Sequence, residues 1–368
     1  MAPDLALIRQ FRHFHLARDW HPLRSMLRLV LLCCLLAGTA RAQTAPAAPA
    51  ETPRRPEDTP AEPADETPAP ATAADTPAAP AFEPQPVNDW LAAQVELFRR
   101  GFSSGSIDGV RGLQSATALK AWQRNEGLRE TGDLDRATKE TFLLTAPVLT
   151  EYVFTVADLT RVRPVPATWL GKSQQDLLGY NTALELVAER SRANPKLITK
   201  LNPGIDWAAI LPGQTIVVPS AEPVIPDAKV ARINVYLAEH VLEVVDETGR
   251  VLFHCPVSIA RNVEKRPVGE LHVVVVIPDP NYTFDPEVFP EVPEAQELGR
   301  KLIIPPGPNN PVGVAWIGLD RTGYGIHGTP DPEKVGRTES HGCFRLANWD
   351  ARTLLSIAYV GLPVIVEP

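Results

Sequence analysis

The 368-residue sequence predicts a multidomain protein, in which a C-terminal all-β sandwich follows a small three-helix domain and an α+β module. Three observations predict it. Apolar residues recur at helical spacing from Asn88 to Phe142, and from Ala231 onward the period falls to two. Between the start of the chain and these segments lies a tract with 12 prolines in the 45 positions of residues 43–87.

Taken in order, residues 1–42 read as a signal peptide. The apolar run Leu29 to Ala37 follows Arg24 and Arg28, and Ala40-Arg41-Ala42 offers small residues for cleavage. The run is too short for a comfortable membrane span, so no transmembrane segment is expected after cleavage. Met26 is an alternative start. Cleavage removes six Arg and two Asp, so 36 basic and 44 acidic residues become 30 and 42, and the net charge moves from −8 to −12. That balance excludes nucleic acid as a partner. Cys33 and Cys34 leave with the signal, and Cys255 and Cys343 remain, both expected as thiols.

Residues 43–87 form a disordered Pro/Ala-rich linker, because the tract cannot bury enough apolar surface to fold and favours extended polyproline conformations. In residues 88–146 the pattern predicts a helix from Asp89, a Gly/Ser turn with Ile107-Asp-Gly109, a helix from Ser115 to Glu126 and a short helix to Phe142, with Trp122 as core. In residues 150–220 it predicts helices over Thr182–Ser191 and Pro195–Leu201 and a strand over Gly213–Pro219. Residues 229–368 carry the period-two strands: Ile233/Val235/Leu237, a hairpin turning at Asp246 to Gly249, Leu271–Ile277 and Pro363–Val366. The long Pro-rich segment Pro278–Pro311 reads as a loop with one helix, Pro293–Arg300, lying over the active site.

The chemistry concentrates in Tyr324-Gly-Ile-His327-Gly328-Thr and Ser340-His341-Gly342-Cys343-Phe-Arg345. A thiol is a useful nucleophile only as a thiolate, so Cys343 needs a base, and His327 or His341 could supply it. Gly342 permits close backbone approach, and the N–H groups of residues 341–343 are candidate oxyanion donors. Arg345 would share a face with Cys343 in an extended segment and could pair with a substrate carboxylate. Two other readings stay open on spacing alone: a buried structural cysteine, and zinc ligation by His327, His341 and Cys343, although no HExxH or CxxC is present.

The same residues, IHGT and then the glycine of VGRTESHGCFRLAN, resemble the signature of the YkuD-type L,D-transpeptidases. The likeness reaches upstream through Pro267-Val-Gly269, Pro305-Pro-Gly-Pro-Asn-Asn310 and Trp316-Ile-Gly. It departs from the family pattern at Ala260 and Arg266, away from the cysteine. The resemblance implies a YkuD-like sandwich in which Cys343 is the nucleophile and His327 its base. It implies that the carbonyl of Gly328 orients that histidine and that His341 and Gly342 line the oxyanion site, with Arg345, Tyr324 and Ser340 as substrate contacts. It implies acyl transfer from a tetrapeptide stem through a thioester to an amine, with water (an L,D-carboxypeptidase) or no catalysis (a wall-binding protein) as alternatives. No metal or cofactor is implied. The partners would be peptidoglycan stem peptides and glycan, with an outer-membrane lipoprotein among the acceptors. The location would be secreted, periplasmic or cell-wall associated. Residues 88–146 similarly resemble a peptidoglycan-binding domain on Gly101-Phe102, Trp122-Gln123 and Thr131-Gly132, and residues 150–220 resemble a LysM module that lacks the usual opening Gly-Asp-Thr.

Overall fold

A computed structural model describes residues 82–223, 228–288, 292–337 and 342–368. The expected signal peptide, the linker up to Ala81, and the site candidates Ser340 and His341 lie outside the described residues.

The helical domain begins earlier than its composition suggests. β1 (Gln85–Pro86) pairs with β2 (Leu143–Leu144), and Val87 is fully buried, so the last linker residues belong to the fold. Between them run α1 (Trp90–Arg99), α2 (Leu113–Asn125) and α3 (Arg136–Thr141). Asp89 and Asp135 end the extended segments before α1 and α3 by accepting the orphan N–H groups of Ala92 and Thr138, each at 2.9 Å. Trp122 is core: its ring sits 4.5 Å from that of Phe142, beneath Leu97 and Leu119.

In the middle module, β3 (Leu149–Val153) and β4 (Thr215–Pro219) form an antiparallel pair. Between them lie α4 (Val156–Thr160), α5 (Trp169–Ser173), α6 (Ala183–Arg190) and α7 (Pro195–Leu201). Thr182 and Asn194 cap the last two, and Pro195 occupies the first turn of α7, where its missing N–H costs nothing. Leu186, Val187, Ile198 and Ile216 share one core with Ala347 and Trp349 of the C-terminal domain. At about 1.5–3 kcal/mol for each fully buried large apolar side chain, that continuity welds the two together.

The C-terminal domain contains β5 (Arg232–Tyr236), β6 (Val241–Val245), β7 (Val251–Pro256), β8 (Gly269–Pro278), β9 (Tyr282–Phe284), α8 (Pro293–Leu298), β10 (Leu302–Ile304), β11 (Ala315–Leu319), β12 (Gly325–His327), β13 (Phe344–Arg345), α9 (Asn348–Ile357) and β14 (Pro363–Glu367). Eight strands join in the order β13-β12-β11-β8-β14-β5-β6-β7. The all-β class stands, but the expected sandwich of two sheets is one continuous curled sheet, with parallel pairs at β12/β13 and β14/β5. Period two reports that one face of each strand is buried, and that face looks the same whether a second sheet or the curl of its own sheet covers it. The strand pattern also hides α9, whose Ala351 and Leu354 pack into the sheet's core.

The edge strand β7 is covered by the helical domain. Ser103 N donates to His254 O at 2.8 Å and His254 N to Gly101 O at 2.9 Å, so residues 101–103 continue the ladder. Arg124 of α2 reaches the buried Glu243–His254 cross-strand pair, 2.6 Å from Glu243.

Candidate active site

The parallel pairing of β12 with β13 sets the site. Its register is Ile326 to Phe344 and His327 to Arg345. Paired residues point to the same face, so His327 and Arg345 project from one face, and Cys343 immediately precedes β13. The thiol meets the Gly325 backbone at the start of β12, and its sulfur donates to Gly323 O at 3.5 Å.

Gly325 has a steric reason to be glycine. A Cβ there would sit 2.7 Å from the ring of Trp316, on the neighbouring strand β11. The indole instead lies over the bare backbone and stacks on His327, with centroids 5.7 Å apart at 22°.

His327 is buried at 6 % exposure, and its Nδ1 is 2.6 Å from Gly328 O. A carbonyl oxygen only accepts, so Nδ1 carries the proton and Nε2 presents its lone pair. Burial pulls the His327 pKa from 6.5 down to about 4, against the Gly328 bond that raises it; the Arg345 guanidinium lowers it further. Burial also pushes the Cys343 thiol above its ordinary value, against the Gly325 backbone contact and Arg345, which lower it. Both shifts favour the uncharged forms, a neutral imidazole and a neutral thiol.

The other sequence candidates are placed as follows. Arg345 is half-buried, its backbone exchanging two 2.9 Å bonds with Ser258. Burial lowers its pKa, while Asp331 and Cys343 raise it. The Tyr324 ring faces Gly342 and lies under the Arg321 guanidinium, 4.7 Å from ring to carbon. Cys255 is a fully buried thiol in the core and Cys343 is half-buried, and neither is in a disulfide.

Residues 231–368 thus bring a cysteine against the strand that carries a histidine, and the sequence comparisons identify that domain. Residues 230–366 match the YkuD family, described as the L,D-transpeptidase catalytic domain. They are an L,D-transpeptidase catalytic domain. Residues 87–141 match a family described as a putative peptidoglycan binding domain. The chain is 29 % identical over 185 residues to a putative L,D-transpeptidase YkuD of Bacillus licheniformis, covering 50 % of this chain and 93 % of that protein. The Bacillus subtilis protein of the same name is 25 % identical over 186 residues, with 50 % and 93 % covered. The probable L,D-transpeptidase YbiS of Escherichia coli is 28 % identical over 193 residues, covering 52 % of this chain and 62 % of that one. Among solved structures, an L,D-transpeptidase from Mycobacterium smegmatis matches at 18 % identity and a TM-score of 0.30, covering 45 % of this chain and 81 % of the other. One from Xylanimonas cellulosilytica matches at 14 % and 0.33, covering 79 % and 100 %. The assignment rests on the sequence matches.

Sequence reasoning missed several residues that shape the L,D-transpeptidase domain's site. Tyr282 of β9 has its hydroxyl pKa raised to about 12, first through burial and then through the charges of Cys343 and Asp285. Tyr282, Phe284 and Trp169 form an aromatic stack, with Trp169 only 4.2 Å from Phe284 at 12°. Glu294 of α8 accepts from the N–H groups of Trp169 and Leu170 at 2.7 and 2.8 Å, so the middle module holds both β9 and α8. The available signal was aromatic clustering in a long loop, and it did not say what the aromatics touch. A separate cleft of about 590 Å³ at the seam of the helical domain and β7 holds none of these residues; its Arg99 and Arg100 are bonded to Glu96 and to backbone carbonyls. Among the described residues no helix is long and apolar enough to cross a membrane.

Proposed function

We propose that this L,D-transpeptidase transfers an acyl group from a peptidoglycan tetrapeptide stem, through a thioester on Cys343, to an amine. The observation that supports the reading is the contact of the Cys343 thiol with the Gly325 backbone on β12, the strand that carries His327, whose imidazole Nδ1–H is engaged by Gly328.

In this reading Cys343 attacks the carbonyl after the third stem residue as its proton passes to His327 Nε2. Main-chain N–H groups of residues 341–343 hold the oxyanion. Collapse breaks the amide, His327 returns the proton to the departing D-alanine nitrogen, and a thioester remains. An acceptor amine then attacks, gives up its proton through His327, and regenerates the thiol. Dividing one amide exchange into two acyl transfers is the value of the covalent intermediate. Arg345, Tyr324 and Ser340 are the proposed stem contacts, and β9 and β10 are proposed to cover the stem.

The peptidoglycan-binding match at residues 87–141 supports a wall substrate and a location outside the cytoplasm. We also read residues 1–42 as the export signal, 43–87 as a tether, 88–146 as the peptidoglycan-binding-like domain, 229–368 as the catalytic domain, and 150–220 as a LysM-like module. The last reading draws on the β3/β4 pair that flanks helices. The acceptor class is another stem, a lipoprotein lysine or a free D-amino acid.

Mass spectrometry of purified tetrapeptide fragments incubated with wild type and Cys343→Ser tests the reading. Loss of D-alanine with a new amide, and an acyl adduct on Cys343, are expected only with wild type. Turnover surviving in Cys343→Ser or Cys343→Ala refutes it.

A further inference from the structure

The middle module reaches behind the candidate histidine through one side-chain pair. Asn348, 1 % exposed at the start of α9, donates from Nδ2 to Glu189 Oε2 at 2.9 Å and to Pro308 O at 3.0 Å. Its Oδ1 accepts from Val314 N at 3.3 Å. The same oxygen is the nearest neighbour a Cβ would meet at both Gly313 and Gly328, so it lies directly against their backbones. Gly328 is the residue whose carbonyl fixes the His327 tautomer.

Glu189 is on α6, a helix of the middle module, and its other oxygen accepts from the Tyr180 hydroxyl at 3.0 Å. An amide side chain can be turned end for end, and only its hydrogen-bond partners choose between the two orientations. Turning Asn348 would set its oxygen against the Glu189 carboxyl oxygen and a carbonyl, and its NH₂ against Val314 N–H. Glu189 therefore joins the Pro308 carbonyl and the Val314 N–H in holding Asn348 in the orientation that lets Oδ1 rest on Gly313 and Gly328.

We propose that Glu189 is a positioning residue for His327, acting through Asn348 on the Gly313–Val314 and Gly328 backbone. The middle module is then part of the catalytic apparatus, not only a head that searches for wall. This rests on the reading of His327 as the base. The residue touches no reacting atom; it sets where the Gly328 carbonyl points, and small misplacements of a catalytic group cost rate steeply.

The test compares wild type, Glu189→Ala, Glu189→Met and Glu189→Gln in the full chain, with two readouts. One is kcat and KM for release of D-alanine from a purified tetrapeptide fragment. The other is the ¹⁵N chemical shifts of the His327 ring, which report the tautomer without turnover. Expected results are a fall in kcat of about 10- to 100-fold at nearly constant KM in the alanine and methionine variants, with mixed tautomers. Glutamine, which keeps an acceptor for Asn348, restores both to within about threefold of wild type. Methionine keeps the side chain's bulk and decides the matter if alanine fails to fold. Wild-type kcat and a single Nδ1–H tautomer in either variant, or glutamine no better than methionine, overturns the proposal. A wild type that releases no D-alanine refutes the proposed function instead, and leaves the ring shifts to judge Glu189 separately.

Discussion

His327 and Arg345 are partners across the parallel β12/β13 ladder, and Cys343, two residues before Arg345, meets the Gly325 backbone two residues before the histidine. The fold thus brings residues sixteen apart in sequence to the same end of β12.

Substituting His327 tests the pairing directly. His327→Gln is expected to lower the rate of thioester formation by about 10²- to 10⁴-fold, the usual worth of a positioned general base. Stopped-flow or rapid-quench detection of the Cys343 adduct measures it, and a loss under tenfold would remove the histidine from the mechanism.

The pH profile should betray the buried imidazole. His327 must be neutral to accept a proton, and with a pKa of about 4 it stays neutral well below the range of an ordinary histidine. The acid limb of kcat/KM for D-alanine release is therefore expected near pH 4. A limb near 6.5 would show a solvent-exposed base.

Asp350 should set part of the stability profile at the seam between domains. It is 2 % exposed, accepts from Ser103 of the helical domain at 3.0 Å, and has its pKa pushed up to about 8 by burial. Its folded-state pKa lies above its unfolded value, so the native state binds the extra proton, and stability is lost as pH rises toward 8. His327 has the opposite sign: its folded value lies below the unfolded one, so stability is lost as pH falls from 6.5 to 4. Between pH 6.5 and 8 only Asp350 of these two is changing, and Asp350→Asn is expected to lose on the order of 2 kcal/mol less than wild type across that window. Urea melts at the two pH values check this; parallel losses would refute it.

Trp169→Ala should loosen β9 and β10, the proposed cover of the stem. It removes a stacked ring from Phe284 and a neighbour of Tyr282, while Glu294 keeps its backbone bonds to α5. Faster hydrogen exchange confined to residues 282–304 and a KM raised several-fold are expected, with a stability cost of about 1–3 kcal/mol. Unchanged exchange there would mean the segment holds itself closed.

The sequence by itself determined the strands and helices whose patterns are local. The alternation of Ile233 and Val235, the Asp89 and Thr182 caps, and the turn at Gly249 each depend on neighbours a few residues away, and the folded elements sit at those places. It also marked the chemistry-bearing stretch around His327 and Cys343, because a histidine-glycine and a glycine-cysteine are legible as residue types. What only the tertiary structure decided are relations between distant segments. The curl of eight strands into one sheet, the α6 carboxylate on Asn348 and the α5 indole on Phe284 each join residues more than a hundred positions apart or depend on how a surface closes. A local pattern states that a side chain will be buried or bonded. Its partner is chosen by packing of the whole chain, which is why the sequence did not show that the middle module shares one core with Ala347 and Trp349 of the C-terminal domain.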